Sequence, residues 1–352
     1  GRVQIVRCPA DANIQAQMAM EEARRLFALS PSSDWSDFAI LARAHKYLAP
    51  IRAYCELNGI PCVQIENVRG SGKLKLNQVR EGQMLIRLLL NPRRNLVAKA
   101  ALLRWIGSHI AKQPENHWMQ LLQQCANEFC LAWSLEEIPA SQLLDWVFEF
   151  SNEQRNSVAG KLTISTVHAA KGREFRHVVV LDGDWPVVST PDERRLYYVG
   201  MTRAKETLTL FEFLSAPNPF SASIRNQSYA LLSVQDAHPL RNPVLDVKFV
   251  ELGNSDVYMD FAGQSSDPKL HQAISELRVG DQLKLVGREF KNNHGIVVGR
   301  LSKSCELREC DVISVKVSAI ASRHEKHVTD TTWRERLKVK SWETILCSVQ
   351  KY

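Results

Sequence analysis

Short apolar runs alternate with stretches of helical spacing across the first 65 residues, and that rhythm restricts the chain to a narrow set of folds. Residues 2–7 (RVQIVR) alternate as a strand does, and 12–29 carry Ile14, Met18, Ala19, Leu26 and Leu29 at helical spacing before Ser30-Pro31 ends them. Phe38-Ala39-Ile40-Leu41 reads as a short buried strand, 46–58 as a helix closed by Asn58-Gly59, and Cys62 to Ile65 as a third strand. A strand, helix, strand, helix, strand order implies a parallel sheet with helices on its faces, because each crossover returns the chain to the same edge.

From 77 to about 150 the spacing is helical throughout, with Leu85, Leu88, Leu89, then Leu102, Leu103, Ile106, then Trp118, Leu121, Leu122, and finally Leu143, Leu144, Val147. After a polar linker at 151–160 the α/β pattern returns as strands 162–166 and 177–181, helix 192–203 and strand 207–213. Four prolines between 214 and 243 mark a boundary, and beyond them 244–250, 256–261, 281–286, 295–301 and 311–317 are strand candidates. The expected organisation is an α/β domain in two parts, 1–76 and 161–215, interrupted by a helical insertion at 77–160. A linker or β region at 216–275 and a small basic β-rich, barrel-like module at 276–352 follow.

Composition narrows the function classes. The 352 residues are 45% hydrophobic and 24% charged, too apolar for a disordered chain, and their length suits two or three domains. Apolar stretches such as Val178 to Leu181 fall far short of the roughly 20 residues that span a bilayer, so no membrane partner is expected. Eight cysteines include no C-x-x-C pair, and the two C-x4-C pairs lack a matching histidine cluster, which points to reduced thiols and no metal site. Of the net charge of +7, residues 276–352 carry +5, with 15 Lys and Arg against 10 Asp and Glu. A basic end of this kind suits nucleic acid.

Two polar stretches carry the chemistry. Thr166-Val167-His168-Ala169-Ala170-Lys171-Gly172-Arg173-Glu174-Phe175 runs from a strand end into a turn, and carboxyl ends of parallel strands are where open α/β sheets place ligands. A charged surface loop explains His-x-x-Lys-Gly equally well by itself. In Asp192 to Lys205 the charges fill the first and last helical turns, and an arginine at the far end of such a helix suits phosphate recognition.

TVHAAKGREF and ERRLYYVGMTRAK resemble motifs V and VI of the UvrD/Rep-like superfamily 1 helicases. FAILARAHKYLAPIRAYCELNGIPC (38–62) resembles motif IV with its following helix, and VREGQMLIRLLLNPRRNLVAKAALLRWI (79–106) the helix pair after it, so the resemblance covers roughly residues 1–213. It implies a second RecA-like domain in an ATP-dependent DNA helicase, with ATP and Mg²⁺ as cofactors and single-stranded or partly duplex DNA as partner. Arg43 and Arg203 are implied as the two catalytic arginines that reach the γ-phosphate, Glu174 as a ribose contact beside Lys171 and Gly172, and Thr166 and His168 as contacts to DNA. Glu193, Arg194 and Arg195 read as an ion-pair network holding the motif VI helix. The family usually moves 3′ to 5′, and a cytoplasmic, nucleoid-associated protein is expected.

The departures from that pattern are specific. Ala42 stands where the family usually has an adenine-stacking aromatic, the insertion before motif V is short, and the acidic stretch between motifs V and VI has shrunk to Gly183 to Pro191. Gly70-Ser71-Gly72-Lys73-Leu74 mimics a phosphate loop, but Leu74 replaces the Ser or Thr that binds Mg²⁺. Val178 to Asp182 mimics a metal-binding aspartate strand without the D-E-x-Q that would follow. The expectation is therefore a half-site: residue 1 is Gly, the first RecA-like domain with its Mg²⁺ ligands is placed upstream in the same polypeptide, and this chain alone should not hydrolyse ATP. Asp246-Val247-Lys248 lacks the companions of a nuclease site, and His294, His324 and His327 read as surface residues. VGDQLKLVGREF and HGIVVGRLSK resemble small SH3-like or HIRAN-like barrels appended to helicases.

In the basic tail, Arg334, Arg336, Lys338 and Lys340 would alternate to one face of a strand, about 6–7 Å apart and near phosphate spacing, with Trp333 and Trp342 flanking them for base stacking. These four are the tail's candidate DNA contacts. The competing readings are a non-catalytic nucleic-acid-binding or regulatory subunit that keeps the fold, and a protein-interaction scaffold.

Overall fold

The computed structural model describes residues 2–30, 32–65, 74–91, 95–153, 160–186, 190–215, 218–221, 224, 230–234 and 239–352. In chain order, β1 (Arg2–Cys8), α1 (Ala12–Leu29), β2 (Phe38–Ala42), α2 (Ala49–Leu57) and β3 (Cys62–Ile65) form the expected alternation. Four helices follow, α3 (Arg80–Leu89), α4 (Lys99–Lys112), α5 (His117–Ala132) and α6 (Ala140–Glu153), with a two-stranded ribbon of β4 (Leu96–Ala98) and β5 (Glu137–Pro139) among them. The α/β pattern resumes in β6 (Leu162–Thr166), β7 (Phe175–Val180), α7 (Pro191–Met201), β8 (Ala204–Phe213) and β9 (Ala230–Val234). The remainder is β10 (Lys248–Glu251), α8 (Pro268–Glu276), β11 (Gln282–Val286), β12 (Glu289–Lys291), β13 (Val297–Arg300), β14 (Val312–His324), the short helix α9 (Thr331–Arg334) and β15 (Ser341–Lys351).

The chain divides into two compact units, Gly1–Arg69 with Ser157–Phe249, and Gly70–Asn156 with Val250–Lys351. In the first, seven strands pair in the order β3, β6, β2, β7, β8, β1, β9, and every registered pair is parallel. β2 shows why its sequence is apolar throughout: Phe38, Ile40 and Ala42 enter a core with α1 and α2, while Ala39 and Leu41 enter the opposite core with Tyr197 of α7. A strand covered on both faces needs apolar residues at every position. Asp11 caps α1 by accepting from the Asn13 and Ile14 backbone N–H groups, and Thr190 followed by Pro191 starts α7.

The second unit departs from the expected partition. The helical segment and the C-terminal strands share one core, in which Leu85, Ile106, Leu122 and Leu143 are buried together with Phe290, Val315, Ile345 and Val349. The strands form a six-stranded sheet in the order β10, β15, β14, β11, β12, β13, dominated by the long β14–β15 hairpin. The segment expected as a strand at 256–261 instead makes a single antiparallel bridge, Val257 to Leu301, with the Tyr258 N–H donating to Arg300 O at 2.8 Å. Residues 335–340 are likewise no strand: α9 ends at Arg334 and the chain turns before β15. Among the described residues no helix is long and apolar enough to cross a membrane, and no group of three or more His, Cys, Asp or Glu side chains could hold a metal ion.

Candidate functional site

β2, β6 and β7 run parallel, so their last residues emerge along one edge of the sheet. Ala42 pairs with Thr166 and the Val167 N–H donates to Ala42 O at 3.0 Å, which sets Arg43 beside the turn that holds His168. Arg43 donates through Nε and Nη2 to both Glu193 oxygens, at 3.0 and 2.8 Å, and the two side chains stay 31% and 20% exposed. Glu193 stands in the first turn of α7, where the helix dipole favours a carboxylate. Thr166 is buried, and its Oγ1 accepts from the Ala169 N–H at 3.3 Å, shaping the turn; His168 on that turn is exposed. Asp182, at the end of β7, is buried, and burial holds its carboxyl above the usual carboxylate range. It accepts from the Gly183 and Phe213 backbone N–H groups and from Asn218, so it braces this edge and is not a metal ligand in waiting.

The remaining candidates lie along the turn after Thr166 and at the end of α7. Arg203 directly precedes β8, and its backbone carbonyl accepts from the Phe175 N–H at the start of β7. Its guanidinium donates to Val199 O and Arg173 O, both at 2.9 Å, and to Thr202 Oγ1 at 3.1 Å. Glu174 pairs with Lys205 at 3.2 Å, and both side chains are more than half exposed. Lys171 and Gly172 are exposed on the preceding turn, with Gly172 at φ +85°, where a side chain would strain the backbone.

Arg43 and Arg203 flank α7, the first bound to its first turn and the second just past its end. The ten residues from Glu193 to Arg203 cover about 15 Å at the helical rise, and the last turn of α7 packs on the carboxyl ends of β6 and β7, where a Cβ on Gly200 would lie 3.2 Å from Val167. The structure joins Arg43 to Glu193 beside the Thr166 turn, holds Lys171 on the same turn as His168 through the Lys171 N–H and His168 O, and bonds Arg203 to Arg173 O next to Glu174. Glu193 is confirmed as an ion-pair partner, but of Arg43; Arg195 pairs with Asp192 at 3.4 Å. Sequence reasoning missed Asp182 as a brace, although Val-Val-Val-Leu-Asp at a strand end is the signal that could have shown it.

In the tail, the strand premise for Arg334, Arg336, Lys338 and Lys340 fails. Arg334 ends α9 and donates twice to Val328 O. Trp342 is 4% exposed with its Nε1 donating to Met259 O at 2.9 Å, so it is a core residue unavailable for stacking. An outward alternation survives without a strand, because Leu337 and Val339 pack on the core while Arg336, Lys338 and Lys340 stay exposed. The phosphate-loop mimic at 70–73 lies outside the described residues, with Leu74 at its end packed on the core.

Comparison with known proteins shows a region similar to the C-terminal domain of UvrD-like helicases. Residues 161–211, which hold Thr166, His168, Glu174 and Arg203, match the UvrD-like helicase C-terminal domain family. Over 149 residues the chain is 33% identical to the ATP-dependent DNA helicase srs2 of Schizosaccharomyces pombe (strain 972 / ATCC 24843), a match covering 36% of this chain and 15% of that protein. The chain thus corresponds to a small part of that relative's length. A solved structure, the C-terminal domain of a possible DNA helicase from Lactobacillus plantarum WCFS1, aligns with 66% of this chain and 85% of its own at 13% identity and a TM-score of 0.32, too loose a likeness to bear on the fold.

Proposed function

We propose that this chain is the C-terminal part of an ATP-dependent DNA helicase of UvrD type, with the parallel-sheet unit as its second RecA-like domain and the C-terminal strands as a small accessory barrel. The barrel reading rests on the chain after β10: the Leu252 N–H donates to Cys347 O beside one edge of the antiparallel sheet, and Val257 bridges Leu301 beside the other. The observation that carries the division of labour is the difference in what the two arginines bind, Arg43 the Glu193 carboxylate and Arg203 the Val199 and Arg173 carbonyls. Arg203 and Glu174 face the nucleotide, where a guanidinium stabilises charge on the transferred phosphoryl group. Arg43, Thr166 and His168, along the carboxyl edge, face single-stranded DNA. The phosphates and Mg²⁺ belong to a first RecA-like domain that this chain does not supply, so alone it turns over no ATP. Opening and closing against that domain would move the strand.

One observation favours a second reading, a non-catalytic subunit that keeps the fold: Arg203 is already bonded to Val199 O at the end of its own helix, as a capping cation would be, and to Arg173 O before β7. DNA-stimulated ATP hydrolysis by the polypeptide joined to its phosphate-binding domain decides between them. Arg203→Ala should lower kcat about 10³-fold or more with little change in the DNA concentration for half-stimulation. Arg43→Ala and His168→Ala should raise that concentration and leave kcat within about tenfold. Near-normal kcat in Arg203→Ala would overturn the catalytic reading.

A further inference from the structure

The second unit bears an aromatic and cationic surface cluster that the helicase reading does not use. Trp333, on the short helix α9, is 40% exposed. The Arg336 guanidinium lies 4.8 Å from its ring centroid, and the Tyr258 ring meets it at 5.9 Å and 70°. Beside them the Arg300 guanidinium lies 5.4 Å from the Phe261 ring. The frame beneath is rigid. The Lys338 N–H donates to Gly263 O at 2.8 Å, the Tyr258 N–H donates to Arg300 O, and a Cβ on Gly263 would sit 2.8 Å from the Trp342 ring.

Charge on this surface is unbalanced. Asp330 caps α9, Asp260 pairs with Arg323, and Glu289 pairs with Arg300. Arg336, Lys338 and Lys340 are exposed and form no ion pair among the described residues, although Asp330 feels the charge of Arg336 and exposed Glu335 stands on the same turn. A row of exposed cations beside an exposed indole matches a ligand that offers negative charge and flat apolar faces at a similar repeat. A single nucleic-acid strand offers both, whereas duplex buries its base faces.

We propose that Trp333, with Tyr258 at its edge, is a stacking platform for single-stranded DNA, and that Arg336, Lys338 and Lys340 hold the adjoining phosphates. A base takes the ring face that Arg336 covers, and the guanidinium moves to a phosphate. The site does not depend on ATP or on the parallel-sheet unit.

The test uses the whole 352-residue chain and a fluorescein-labelled oligo-dT in anisotropy titrations at several salt concentrations. Trp333→Ala should weaken binding about 5- to 150-fold, the loss of one stacked base, with the salt slope unchanged. Trp333→Phe should recover part of it. Lys338→Ala with Lys340→Ala should flatten the log–log salt slope by about 1.4. Thermal melting confirms that each variant folds, which the exposure of all three side chains favours. Parent-like affinity in a folded Trp333→Ala variant, equal competition by duplex, or no binding by the parent at low salt would each overturn the platform. If instead His168→Ala alone abolishes binding, the strand runs over the parallel-sheet unit, and the platform falls while the helicase reading stands.

Discussion

His177 illustrates how a single buried side chain links pH to folding. It lies in β7 with its ring 4.5 Å from Phe38, its Nδ1 bonded to Thr207 Oγ1 at 2.9 Å, and its Nε2 buried without a partner. Burial holds its pKa below the ordinary 6.5; Arg176 adds to the lowering, while Glu206 and Asp37 oppose it. The folded state therefore binds a proton here less readily than the unfolded chain. Its contribution to stability is complete above pH 6.5 and is lost as pH falls from 6.5 through the lowered folded value. His177→Phe keeps the packing against Phe38 and removes the titration. Denaturant midpoints measured from pH 7.5 to 5 should fall less in the variant than in the parent, and parallel curves would show that His177 stays accessible to protons.

At the scale of elements, Arg80 at the start of α3 joins three pieces of the second unit. It donates to both Glu343 oxygens on β15, at 2.8 and 2.5 Å, and to Ile274 O and Leu277 O at the end of α8. Arg80→Met would leave Glu343 and two helix-end carbonyls without partners. The two side chains keep 19% and 26% exposure, so solvent screening limits the loss to about 1–3 kcal/mol. Arg80→Lys should recover little, because an ammonium cannot span a carboxylate and two carbonyls as the planar fork does. Chemical denaturation of the three proteins checks this, and a lysine variant as stable as the parent would reduce the contact to simple charge. Apart from β9, which pairs with β1 from within the stretch read as a boundary, the strands and helices of the parallel-sheet unit were legible from apolar spacing to within a few residues, since β2, β6 and β7 are buried on both faces. Less legible was 256–261, whose apolar residues Val257 and Met259 are buried although the segment bonds its neighbours at one bridge. Arg336 to Lys340 alternated as read, but on a turn whose inward residues are held by core packing rather than by strand partners. Motifs V and VI drew attention to Glu193 and Arg203, yet no spacing rule could say that Glu193 would bind Arg43 and Arg203 would bind Arg173 O.

For the whole molecule, the least legible feature was the shared core of the second unit, because it joins residues up to about 270 positions apart and local periodicity carries no such information. Its energetics make a definite prediction about truncation. The helices α3 to α6 bury Leu85, Ile106, Leu122 and Leu143 in the cluster that also contains Val315, Ile320 and Ile345, and Trp118 of α5 donates to Ser318 O on β14 at 2.9 Å. Removing residues 250–352 uncovers those side chains, each worth about 1.5–3 kcal/mol of burial, and isolated helices of 10 to 16 residues are marginal in water even with good propensities. The parallel-sheet unit, by contrast, keeps two clusters of its own, one around Phe38, Ile40 and Ile51 and one around Leu41, Val180 and Tyr197. A chain ending at residue 249 should therefore lose the helices first. Limited proteolysis followed by mass spectrometry should cut within 80–153 while peptides of 2–65 and 160–215 stay protected, and circular dichroism should show a helix loss larger than α8 and α9 explain. Protection of 80–153 in that truncated chain would mean that the helices form an independent bundle and that the strands merely cover it.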